Sequence, residues 1–122
     1  MMADDLTNIR LTSEANAVAD KLVETGRFEN VATVAKFALA YALKNHFDEI
    51  DPIFYPITDG GGSNYNVGSF DSDGRLRDLL RALYPGATTP YFYARALMMF
   101  GLKKIDERLQ REGFNSVHTL LE

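Results

Sequence analysis

Side chains able to do covalent or metal chemistry are few in this chain, and they are badly spaced for it. The two histidines, His46 and His118, lie far apart. A two-histidine metal site would need carboxylates brought in by the fold, and nothing stands at metal-ligand spacing. There are no cysteines, which removes disulfides, thiolate catalysis and cysteine-ligated clusters. Ser63, Ser69 and Ser72 lack the strand–turn–helix context of a nucleophile elbow. The run Asp59-Gly60-Gly61-Gly62-Ser63-Asn64 invites a phosphate-binding reading. It lacks the P-loop spacing, no Lys-Ser/Thr pair follows, and no helix opens directly after it, so a turn-rich loop is the better reading. Asp71-x-Asp73-Gly74 looks like the start of a calcium loop, but its twelfth position is Ala82, where a bidentate glutamate is needed. These acids read instead as helix N-terminal caps. The aromatics Phe54, Tyr55, Tyr65, Phe70, Tyr91, Phe92 and Tyr93 have the faces to stack on bases. Without interleaved arginines and lysines they read as core or contact residues. No enzyme, metal or cofactor is expected.

The elements that position these residues are mostly helical. Of 122 residues, 46% are hydrophobic and the net charge is −4, enough apolar content for one packed unit. Residues 6–12 alternate as a half-buried strand, with Thr7, Ile9 and Leu11 on one face and Leu6, Asn8, Arg10 and Thr12 on the other. No partner strand follows soon in the chain. A lone strand leaves its backbone groups unsatisfied, so pairing with the same strand of a second copy is the economical solution; an extended arm is the alternative. A first helix is predicted over 13–24, capped by Thr12 or Ser13, with Ala15, Val18, Ala19, Leu22 and Val23 as its stripe, ended by Gly26. A second starts at the Asn30 cap and runs to about Phe47. Its body is apolar on nearly all sides, which places Phe37, Ala40 and Tyr41 beneath residues 51–122.

Pro52 and Pro56 break the helical pattern. Residues 53–55 and 65–70 read as short extended pieces, as in a loose hairpin. A third helix is predicted over 72–84 with the stripe Leu76, Leu79, Leu80 and Leu83. Thr88-Thr89-Pro90, a hydroxyl cap with proline in the first turn, signals a fourth, running to about Glu112 and ended by Gly113. A short last helix is expected over 116–121. Phe37, Tyr41, Leu97, Met98 and Leu102 are expected to share one core. No apolar run reaches membrane-spanning length. The acidic start Met1-Met2-Ala3-Asp4-Asp5 lacks the basic and apolar regions of a signal peptide, so a cytoplasmic location is expected.

Taken together, Ile9-Arg10-Leu11, the amphipathic first helix, Gly26-Arg27-Phe28-Glu29-Asn30-Val31 and an alanine-rich second helix resemble the ribbon-helix-helix proteins over about residues 6–47. The nearest flavour is the ParD-like antitoxin group. The resemblance implies a mainly α fold: a ribbon-helix-helix-like homodimer joined through residues 6–12, with residues 1–50 as the dimerisation and DNA-binding module and 51–122 as a helical extension packed on it. It implies that alternate strand residues enter the major groove of duplex DNA and read base edges, here Asn8 and Arg10 with Leu6 or Thr12 flanking. It also implies a phosphate clamp at the start of the second helix, the backbone amides after Asn30 beginning with Val31, assisted by Arg27. Phe37 and Ala40 stand where the family often has polar residues. Residues 1–50 carry eight acidic and five basic side chains, whereas a basic domain is the usual footprint of a DNA binder. The expected function is therefore a dimeric DNA-binding protein acting as a transcriptional regulator. The alternative is a protein-interaction subunit, antitoxin-like or a complex component, that keeps the dimer fold without touching DNA.

Overall fold

The computed structural model describes residues 5–113; the helix expected over 116–121 and His118 lie outside them. In chain order the elements are β1 (Asn8–Arg10), α1 (Ser13–Glu24), α2 (Val31–Asn45), two 3₁₀ turns (Phe47–Glu49 and Pro52–Phe54), β2 (Asn64–Asn66), α3 (Val67–Phe70), α4 (Arg75–Leu83) and α5 (Pro90–Glu112). The protein is mainly helical with one small antiparallel sheet.

The first two helices form where local chemistry puts them. The Thr12 hydroxyl accepts from the Ala15 N–H at 3.1 Å, and the Asn30 carboxamide accepts from the Thr33 N–H at 2.9 Å, each satisfying a donor that the first turn leaves open. Between them Gly26 takes φ +80°, a left-handed conformation that ends α1 without strain. Ala15, Val18, Ala19 and Leu22 are the buried stripe of α1. On α2, Val34, Ala35, Ala38, Leu39, Tyr41 and Ala42 are buried, an arc too wide for one neighbour. Phe37 is half-buried and Ala40 is exposed, so Ala40 does not lie beneath the second half of the chain.

The partner that covers α2 is α5, 23 residues long. The two cross at Gly101, where a Cβ would overlap the Ala38 carbonyl; only glycine permits so close an approach. The core then divides on either side of this crossing. One cluster joins α1 to the far half of α5 through Leu11, Val18, Leu22, Tyr41, Leu102 and Ile105, with Phe37 at its margin. The other joins the sheet and α4 to the near half through Ile9, Leu39, Phe70, Leu80, Leu97 and Met98. The single core expected for Phe37, Tyr41, Leu97, Met98 and Leu102 is thus split, with Leu97 and Met98 in the sheet-side cluster and Tyr41 and Leu102, with Phe37 at the margin, in the α1-side cluster.

Two expectations about the second half change. On α4 only Leu80 is buried, while Leu79 and Leu83 stay exposed, because of its would-be stripe just one edge meets α5. The Thr89 side chain does not cap α5. The Asp5 carboxylate does so instead, accepting from the Tyr91 and Phe92 N–H groups at 2.9 and 3.0 Å, with the favourable sign for a helix N-terminus. Among the described residues, no helix is long and apolar enough to cross a membrane.

Candidate functional site

β1 finds its partner in its own chain. It pairs antiparallel with β2 in the register Asn8↔Asn66, Ile9↔Tyr65 and Arg10↔Asn64. No partner strand is expected soon in the chain, and β2 is indeed more than fifty residues on, but it belongs to the same chain, so a second copy is not required to give β1 a partner. The loose hairpin is corrected too, since Pro52–Phe54 form a 3₁₀ turn and only the start of the second piece is a strand. The flanking bonds fix the ladder. Leu11 N–H donates to the Ser63 carbonyl at 2.9 Å and Val67 N–H to the Thr7 carbonyl at 3.0 Å. These bonds make the odd-numbered residues of β1 the hydrogen-bonded pairs. Asn8/Asn66 and Arg10/Asn64 are then the non-hydrogen-bonded pairs, whose side chains stand closer together.

The two faces of this ribbon differ sharply. Ile9 and Leu11 are fully buried. Asn8, Arg10, Asn64 and Asn66 are all exposed on the opposite face, giving three carboxamides and one guanidinium in two cross-strand pairs. The glycine-rich loop holds the arginine in place: a Cβ on Gly60 would come within 2.7 Å of Arg10 Cδ, and one on Gly62 within 2.9 Å of the Leu11 carbonyl. The loop is therefore a close-packed bed for the end of β1.

Acids close to this face are engaged elsewhere. Asp5 caps α5. Asp59 accepts from the Gly61 N–H at 2.9 Å and from the Ser13 N–H and hydroxyl at 2.7 and 3.1 Å. The Gly61 and Ser13 amides hold its carboxyl below the usual carboxylate range. At the other end of the ribbon, burial pushes the Asp71 carboxyl up. The Leu76 and Arg77 N–H groups at 3.0 Å and the Tyr91 hydroxyl at 2.8 Å outweigh that, so its pKa is lowered. Burial, followed by the bond to Asp71, pushes the Tyr91 hydroxyl to about 12.

Of the residues expected to contact DNA, Asn8 and Arg10 share the exposed face. Thr12 leaves it: its side chain is buried, capping α1 and donating to Met99 sulfur at 3.7 Å. Leu6 is half-buried. Arg27, Asn30 and Val31 sit at the turn into α2, with Arg27 and Asn30 exposed, and make no hydrogen bond or ion pair to the ribbon residues. Asn64 and Asn66 were not anticipated, although the alternation Asn-Tyr-Asn signals a strand with one polar face.

A second concave feature lies between α1, α5 and the segment 55–58, a cleft of about 300 Å³. Thr12, Ala15, Val18 and Met99 form its floor, and Glu14, Lys103, Asp106 and Glu107 its rim. Tyr55 stands in its wall, its ring edge-on to Phe100 at 5.8 Å. Burial raises the Tyr55 hydroxyl pKa, and the negative fields of Glu14 and Glu107 raise it further. Among the described residues no group of three or more His, Cys, Asp or Glu side chains is placed to hold a metal ion. No family model, curated protein or solved structure matches this chain.

Proposed function

We propose that this protein binds duplex DNA by laying the β1/β2 ribbon in the major groove, and that it acts as a transcriptional regulator. The observation that carries this reading is the exposed face of Asn8, Arg10, Asn64 and Asn66. The major groove admits a two-stranded ribbon; arginine pairs bidentately with guanine and asparagine with adenine. The ribbon is built within one chain, which alters the role of a second copy. Joining two chains edge to edge through β1 would make a four-stranded sheet. At about 4.8 Å per strand, its outer backbones span roughly 14 Å, more than the groove's width of about 12 Å. One ribbon per chain is the geometry that fits, and a dimer would place two ribbons on successive half-sites. The open amides at the start of α2, beginning with Val31, together with Arg27, are the candidate phosphate contacts.

A protein-interaction subunit is the second reading, favoured by Ile53 and Phe54 on the second 3₁₀ turn, which are 49% and 80% exposed. The two readings separate in one experiment: binding of mixed duplex fragments across a salt series, with wild type, Arg10→Ala, Asn64→Ala and Phe54→Ser. On the DNA reading, wild-type affinity falls steeply with salt. Arg10→Ala then weakens the best fragments roughly ten- to a hundredfold, as expected for the loss of a bidentate base contact, and Phe54→Ser changes nothing. Absence of any salt-dependent affinity overturns it in favour of the protein-interaction reading.

A further inference from the structure

The cleft between α1, α5 and residues 55–58 has a chemistry unlike that of the ribbon, and it stands independently of any DNA contact. We infer that it is a binding site for a small organic cation carrying an apolar group. Its volume of about 300 Å³ is at the small end of ligand pockets. Its floor offers the methyl and thioether groups of Ala15, Val18 and Met99, all buried. Its rim sets three carboxylates, Glu14, Asp106 and Glu107, against the single ammonium of Lys103.

The disposition of these groups favours a ligand over self-satisfaction. Asp106 accepts only a long bond from Gln110 at 3.4 Å, and Glu107 pairs with Lys104 at 3.5 Å, both at the exposed edge. Glu14, the Tyr55 hydroxyl and Lys103 make no hydrogen bond or ion pair with any described residue. The Tyr55 ring packs against Phe100 and lines the cleft beside these carboxylates, and aromatic rings attract alkylammonium groups. An anion would meet the carboxylates; a neutral apolar molecule would leave them unused.

The test uses the full chain and two-dimensional amide spectra, titrated with benzyltrimethylammonium, with 3-phenylpropanoate and benzyl alcohol as anionic and neutral counterparts. Saturable shifts are expected with the cation at Glu14, Ala15, Tyr55 and along 99–107, with little response to the other two. Glu14→Gln with Glu107→Gln should weaken the cation at least tenfold. Glu24→Gln with Asp20→Asn, an equal charge change away from the cleft, should leave binding within twofold. An equal response to benzyl alcohol overturns the proposal, as does preference for the anion, a non-saturating response, shifts centred elsewhere, or equal weakening by the two double variants.

Discussion

The ribbon and the cleft sit back to back across the same few residues, yet their chemistry is opposite. The ribbon face is exposed, with Arg10 among three asparagines and no carboxylate in its two cross-strand pairs. The cleft is concave, floored with apolar groups and rimmed mainly by acids. The join is short. Leu11 and Thr12 follow directly from β1, and Thr12 is part of the cleft floor; Thr58 on its wall precedes Asp59 and the glycine bed under Arg10. A chain with net charge −4 therefore carries its acids unevenly, and the sum says little about either surface. Local sorting of charge is what a phosphate backbone or a small cation meets at close range, since exposed charges beyond about 10 Å are largely screened at 0.1 M salt.

The division of the core gives the largest effects with which to break this pairing. Leu97 and Leu102 are both fully buried, the first in the ribbon-side cluster and the second in the α1-side cluster. Either leucine replaced by alanine should cost about 2–5 kcal/mol in urea unfolding. Amide exchange should tell them apart: Leu97→Ala should loosen β1, β2 and α4 first, and Leu102→Ala should loosen α1 first. Uniform deprotection by both would mean that the two regions are one cooperative unit. Phe37→Ala, by contrast, should cost less than the 3–5 kcal/mol typical of a buried phenylalanine, because its ring is only half-buried.

A smaller effect belongs to the ribbon side alone. Asp71 ties the N-terminus of α4 to Tyr91 of α5. Its pKa is lowered by folding, so its contribution is present above the unfolded value of 3.8 and is lost as pH falls through the folded value. Asp71→Asn keeps the shape but not the charge. It should remove about 1–3 kcal/mol at pH 7 and flatten the acid limb of the stability curve below pH 4. Shifts in the amide spectrum should centre on Leu76, Arg77 and Tyr91 and leave the cleft residues 14–18 unmoved.

Much of this architecture was legible because it is local. The α1 stripe, the Thr12 and Asn30 caps, the left-handed Gly26, and Pro90 and Gly113 bounding α5 each follow from a few adjacent residues. What was not legible depends on distant partners. β1 pairs with a strand more than fifty residues on, across proline and glycine signals that gave no hint of its register. Asp5 displaces Thr89 as the cap of α5 because only the fold brings residue 5 there. The α4 leucines carry a regular stripe, yet Leu79 and Leu83 find no partner helix among the described residues, since periodicity states which face is apolar and not whether something covers it. Asn8 and Arg10 could be read from alternation, whereas the cleft could not. Glu14, Tyr55 and Glu107 come from three separate elements and share no motif.

The smallest expected effect lies at the join itself. Asp59 is exposed, and its carboxyl fastens Ser13 at the start of α1 to Gly61 in the bed under Arg10. The Gly61 and Ser13 amides lower its pKa below 3.8. The linkage therefore holds at neutral pH and is released only as pH falls through that lowered value. In an amide-detected titration of the folded protein, the Ser13 and Gly61 resonances should move together with one apparent pKa below 3.8, and Asp59→Asn should abolish that step. At neutral pH the same variant should shift resonances on both sides of the join, at Arg10 and Gly60 on the ribbon and at Glu14 and Ala15 by the cleft. Asp71→Asn should move only the first pair, if either. Should Asp59→Asn perturb only the loop, the ribbon and the cleft are neighbours without communication, and occupancy of one will leave the affinity of the other unchanged.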